Sequence, residues 1–262
     1  MNFLYLLYEA GLRFIDREAG YYAAAFSYYA PLALIPLIFF SIAVVGFIYG
    51  ESYTSQVFAS WGSILGSDLL QVIQLAVKNI NIEAQNSRLP VVVIIFFFWL
   101  YLTAMNVLSD GFHKLWGIKN CGIRGWLIKS VRSLAFFFIL QIYLIFLIGL
   151  EFFTNTNIFI AKTAISSTVI FLSTMLFFSV LYHYLATKSP SWSGCMVGAA
   201  ISSLLFVGIK SLVDIYLANT PALNFYGATG LILILLAWVY VLAVLIYYGA
   251  AVAGLYDKMK KN

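Results

Sequence analysis

Charge is the scarcest feature of this chain. Only 10% of its 262 residues are Asp, Glu, Lys or Arg, against about 25% in ordinary soluble domains. Too few ionised groups remain to cover a water-facing surface, which excludes a soluble globular domain. Cysteine is nearly absent. Cys121 and Cys195 match no zinc or redox spacing and build no disulfide framework. Histidine is limited to His113 and His183, with no H-E-x-x-H pair, so no metal-ligand set is legible. G-x-S-x-G, P-loop and G-x-G-x-x-G patterns are all missing. No catalytic residue, metal or cofactor is therefore expected, and the chain is not expected to be an enzyme. With no nucleotide-binding domain in this sequence, an ATP-driven pump is not expected. The first twenty residues are not a cationic leader, because Glu9, Asp16 and Glu18 stand beside Arg13 and Arg17.

What the chain holds in abundance is apolar surface. Hydrophobic residues make up 63% of it, and the mean hydropathy is +0.95. A protein core cannot absorb that much, so lipid must act as solvent. About twenty apolar residues cross a bilayer core. Six stretches reach that length, at residues 23–49, 90–108, 131–153, 164–186, 195–216 and 226–255. The expected fold is an all-α integral membrane protein of six transmembrane helices in one domain over 1–262.

Lys and Arg in short loops orient such a protein. Eleven fall on one side: Arg13, Arg17, Lys114, Lys119, Arg124, Lys129, Arg132, Lys188, Lys258, Lys260 and Lys261. Lys78, Arg88 and Lys162 fall on the other. Both termini should be cytoplasmic, which puts both cysteines at or near the reducing side as free thiols. The basic stretch from Lys114 to Arg132 serves orientation and anionic lipid rather than nucleic acid.

Two segments outside the spans read as helices. In residues 1–20, Asn2, Glu9, Arg13, Asp16 and Gly20 recur at helical spacing, and Phe3, Leu7, Ala10 and Phe14 line another face. This pattern predicts an amphipathic helix on the inner membrane surface. In the outer loop, 50–89, Leu69, Val72, Ile73, Ala76 and Ile80 oppose Gln71, Gln74, Lys78, Asn81 and Gln85. That loop is expected to be a helical cap packed on the bundle, or else an interfacial helix.

Lys210 and Asp214 stand four apart within the fifth apolar stretch, which puts them on one helix face. An ionisable residue at membrane depth is costly and marks a wet or protein-lined site. Lys210 either snorkels to the interface or meets an anionic group, with Asp214 tuning its charge. Glu151, near the outer end of the third stretch, is a candidate third member, and Tyr216 and Tyr226 flank the outer mouth. Pro31 and Pro36 lie within the first stretch, where each removes a backbone donor. They mark either a hinge beside a pathway or a static kink. Gly194, Gly198 and Ser202 repeat small residues every four positions, as do Gly249 and Ala253, and this suits close helix packing.

Taken in order, these segments resemble the YihY/BrkB family of bacterial inner-membrane proteins, over nearly the whole chain. AAAFSYYAPLALIPLI, with Tyr28, Pro31 and Pro36, is similar to the family's first apolar segment. GFHKLWGIK keeps Trp116 but has His113 where Asn is usual. SPSWSGCMVGAAISSLLFVGIKSLVDIY places Lys210 and Tyr216 on family positions. FYGATGLILILLAWVYVLAVLIYYGAAVAG matches at Tyr226, Gly227, Trp238, Tyr240, Gly249 and Ala250, while Ala251 stands where many members have Glu. The resemblance implies a six-helix protein of the bacterial inner membrane with cytoplasmic termini. Members have carried the label ribonuclease BN, but nothing in this chain supports nuclease chemistry. Others have been linked to serum resistance and envelope lipid export.

The function expected is a transporter or flippase-like protein for an anionic lipid or other amphiphile, with membrane lipids as partners. The alternative is a non-transporting envelope scaffold whose outer loop docks a protein partner. Either a single bundle or a homo-oligomer with a shared pathway suits six spans.

Overall fold

The computed structural model describes residues 3–49, 89–118, 122–156, 162–219 and 222–261. The expected outer helical cap, 50–89, lies outside them except for Leu89, where a helix begins. The described residues form seven α-helices and no strand: α1 (Phe3–Asp16), α2 (Ala19–Tyr49), α3 (Leu89–Trp116), α4 (Gly122–Thr156), α5 (Lys162–Leu185), α6 (Trp192–Asn219) and α7 (Ala222–Lys261). Among the described residues, four helical stretches are long and apolar enough to cross a membrane: Ile95–Trp116, Gly122–Phe146, Trp192–Ile209 and Leu236–Lys260. Phe171–Leu185 is a shorter apolar helix. In hydrocarbon every backbone donor and acceptor must be satisfied within the segment, and helices do this.

The helix expected over 1–20 is cut short. α1 stops at Asp16, and α2 starts at Ala19. Glu18 turns the chain with φ 56°, its N–H donating to the Ile15 carbonyl at 2.9 Å. This is the left-handed position that glycine usually fills at a helix C-terminus. Gly117 fills its counterpart after α3, with φ 71°. There Ile118 N–H reaches the His113 carbonyl at 2.8 Å and Gly117 N–H reaches Lys114 at 3.3 Å. These two bonds make a Schellman cap, and orphan carbonyls at the end of α3 are satisfied by it.

The chain divides into two compact units. The first comprises Met1–Pro31, Leu102–Phe136 and Ile158–Asn262. In it α6 packs on α7, α5 packs on α6, and α1 packs on α7. Close approach of α6 and α7 follows from their small residues. A Cβ on Gly198 would overlap the Gly249 carbonyl oxygen, and one on Gly194 would stand 2.8 Å from the Ala253 carbonyl. Aromatic rings fill the space beside this pair. Phe112 meets Tyr182 edge-on at 5.6 Å and Tyr247 at 5.7 Å, and stacks on Trp116 at 5.3 Å. Gly111 leaves room for Tyr247, whose ring a Cβ there would strike.

On α1 the buried positions are Leu6 and Ala10, with Leu7 and Phe14 half-buried. The face carrying Leu7, Ala10 and Phe14 therefore turns into the protein. Tyr248 on α7 secures it by donating its hydroxyl proton to the Leu7 carbonyl at 3.0 Å.

The second unit comprises Leu32–Tyr101 and Phe137–Asn157. Phe137 sits edge-on to Tyr101 at 5.1 Å and to Phe98 at 5.7 Å. Gln141, buried on α4, donates its side-chain amide to the Leu37 carbonyl of α2 at 3.0 Å. α2 remains helical through both Pro31 and Pro36. Ser27, the residue whose carbonyl Pro31 frees, directs its hydroxyl to Ala24 at 2.7 Å.

A buried ion pair on α3 and α4

The polar residues of the first unit are concentrated where α3, α4 and the end of α5 meet. Asp110 lies on α3, less than two turns before its end at Trp116. Lys129 lies on α4, about two turns after its start at Gly122. Lys129 Nζ donates to Asp110 Oδ1. The lysine side chain is 7% exposed and the aspartate 33%. Both stand within helices apolar enough to span a membrane. A cation withdrawn this far from water needs a counter-charge, and Asp110 supplies it.

Further polar groups continue the seam. Asn106 is one turn before Asp110. Its amide nitrogen lies 3.5 Å from the Ser130 hydroxyl, and its amide oxygen accepts from Ser133 at 3.4 Å. Spacing explains the row, because 106, 110 and 113 share one face of α3, as 129 and 133 do on α4.

The end of α5 is held from both helices. Its last carbonyls have no intrahelical donor. Arg132 donates to the carbonyls of Tyr184, at 3.3 Å, and Ala186. Ser109 donates to Leu185 at 3.3 Å. The guanidinium is also favourable at the negative end of a helix dipole. Thr187 N–H donates to His113 Nε2 at 3.2 Å, and its hydroxyl stands 3.0 Å from the same nitrogen. Toward the Thr187 N–H, Nε2 acts as the acceptor.

A second polar point joins α5, α6 and α7. The Tyr182 hydroxyl is 2.8 Å from Ser202 Oγ and 3.0 Å from the Ile246 carbonyl, and Ser202 Oγ is 3.1 Å from Leu245. All of this is buried. Trp116 closes the lower end of α3 by donating its indole N–H to Ala250 at 2.7 Å.

The residues singled out by sequence divide into two groups. Gly194, Gly198 and Ser202 on α6 meet Gly249 and Ala253 on α7. Lys210, Asp214 and Tyr216 are on α6, Tyr226 on α7 and Glu151 on α4; their side chains, and that of Pro36 on α2, lie outside the described residues. Pro31 is half-buried. The Asp110–Lys129 pair was missed by sequence reading. Asp110 falls just beyond the apolar stretch 90–108, and Lys129 enters only as one count in the charge bias. The available signal was Lys129 itself, seven residues inside a helix that continues without a break into an apolar span.

Among the described residues no three His, Cys, Asp or Glu side chains are grouped so as to hold a metal. Cys195 is a buried free thiol. The paired charges on α3 and α4 can bind and orient a charged group. Comparison with curated proteins found no match, and comparison with solved structures found none. The family model described as Virulence factor BrkB matches residues 11–262, and the chain belongs to that family of membrane proteins.

Proposed function

We propose that this protein is a multi-pass transporter of the bacterial inner membrane, flippase-like, acting on an anionic lipid or other amphiphile of the cell envelope. In this reading it has six spans and both termini in the cytoplasm. The observation that carries it is the Asp110–Lys129 pair, with Asn106, Ser130 and Ser133 extending a polar seam through apolar helices. Ionisable groups at membrane depth are expensive, and they typically mark a substrate path. An entering anionic head group would compete with Asp110 for Lys129.

On the outer side the reading assigns Lys210 to the head group, with Asp214 tuning its charge and Tyr216 and Tyr226 near the outer mouth. Pro31 and Pro36 would let α2 flex. Membrane lipids are the proposed partners, and no catalytic step is assigned.

The test is transfer of a labelled anionic lipid between leaflets of liposomes holding the purified protein. Wild type should transfer it, while Asp110→Asn, Lys129→Met, Lys210→Met and Pro31→Ala should each slow transfer in protein that still inserts. The exchange variant Asp110→Lys/Lys129→Asp keeps a pair but moves the cation. Full transfer by that variant would reduce the pair to a structural brace and sink this mechanism.

A further inference from the structure

α1 has three faces rather than two. Leu6, Ala10, Leu7 and Phe14 turn into the protein. Glu9, Arg13 and Asp16 form a narrow polar strip beside them, by their positions on a 100° helical wheel. The remaining arc is apolar and outward: Leu4 (80% exposed), Tyr8 (65%), Leu12 and Ile15 (72%), with Tyr5 at its edge. These positions recur at four, four and three residues, which is one continuous stripe.

The docking of α1 says what covers that stripe. Leu7 is bonded to Tyr248, inside the candidate span Leu236–Lys260. The next residue, Tyr247, reaches the Val107 carbonyl at 3.2 Å, inside the candidate span Ile95–Trp116. α1 is thus held beside membrane-spanning helices, at a level they traverse. An outward apolar face at that level meets lipid rather than water. Tyr5 and Tyr8 have the apolar body and polar tip favoured at the head-group boundary. Arg13 marks the other side of the helix. Burial pushes its guanidinium pKa down, Arg17 adds to this and Glu9 opposes it.

We infer that α1 is an in-plane membrane anchor whose lipid-contacting face is Leu4, Tyr8, Leu12 and Ile15, while the face carrying Leu7, Ala10 and Phe14 serves to dock it on the protein. The occupant of the exposed stripe is the bilayer boundary next to α7. This rests on the membrane-spanning helices and is independent of the transport reading.

Single nitroxide labels at Leu4, Tyr8, Leu12, Ile15, Glu9 and Asp16 test it, in full-length Cys121→Ser/Cys195→Ala protein. The protein is reconstituted in phosphatidylethanolamine–phosphatidylglycerol vesicles, and each label's collisions with oxygen and with a water-soluble nickel chelate are measured. The expected result is that oxygen collisions dominate at Leu4, Tyr8, Leu12 and Ile15, and that the preference inverts at Glu9 and Asp16. Dominance of the nickel chelate at Leu4, Tyr8 and Ile15 would put the stripe in water and overturn the inference. Low collision rates with both reagents, with spin–spin broadening, would show a second copy on the stripe and overturn it equally.

Discussion

Lys129 on α4 donates to Asp110 on α3, and the lysine is almost wholly enclosed while the aspartate keeps a third of its surface. The asymmetry predicts unequal effects. Asp110→Asn strands a buried cation and should destabilise the fold by on the order of 3 kcal/mol. Lys129→Met leaves a carboxylate that the protein encloses less fully, so it should cost less. The double variant removes both charges and should recover most of the loss. Unfolding of all three in detergent, analysed as a double-mutant cycle, would show the coupling. Strictly additive losses would mean that the two charges do not depend on each other.

The α6–α7 seam gives a sharper contrast. Gly198→Ala drives a methyl into the Gly249 carbonyl and Ala253, which should cost roughly 1–3 kcal/mol through overpacking. Gly208 lies on the same helix with nothing within 4 Å of its would-be Cβ. Gly208→Ala should stabilise by about 0.5–1 kcal/mol, because alanine restricts the unfolded chain more than glycine does. Midpoints of thermal unfolding should therefore move in opposite directions for one substitution type on one helix.

Glu18 holds a left-handed conformation that costs a non-glycine residue roughly 1–2 kcal/mol. Its ion pair with Lys114, at 3.4 Å, is exposed on both sides and contributes little. Glu18→Gly should accordingly raise the unfolding midpoint, and Glu18→Val should lower it. A fall with glycine would show that the ion pair outweighs the backbone strain.

His113 accepts from the backbone of Thr187 just beyond α5. His113→Leu keeps bulk but strands that N–H, at a cost of about 1–3 kcal/mol. His113→Asn offers an amide oxygen in its place and should be milder. Proteolysis at the α5–α6 connection would report the difference, with faster cleavage in the leucine variant.

Much of the fold was legible because it depends on local chemistry. Helices α3, α4, α6 and α7 contain apolar runs long enough to be read without any partner. The spacing of Gly194, Gly198 and Ser202 was equally plain, since a four-residue repeat is a property of one helix. The break after Asp16 was not legible. Nothing in Arg17–Glu18 resembles a glycine cap, and only the strained φ of Glu18 reveals it. Which apolar face of α1 docks on the protein was not legible for a related reason. Leu4–Tyr8–Leu12–Ile15 and Leu7–Ala10–Phe14 are both apolar, and hydropathy alone cannot decide which of them docks.

The sequence by itself determined the solvent, the all-helical class and the family resemblance. Hydropathy over twenty residues, helical periodicity and motif order are all written along one dimension. Tertiary structure decided which charges meet. Asp110 and Lys129 are nineteen positions apart on different helices, and Arg132 reaches carbonyls fifty-two and fifty-four positions away. Such contacts depend on how far each helix is rotated about its axis. That rotation is set by the volumes of Gly111, Gly198 and the rings packed around Phe112, and it exists only once the helices are assembled.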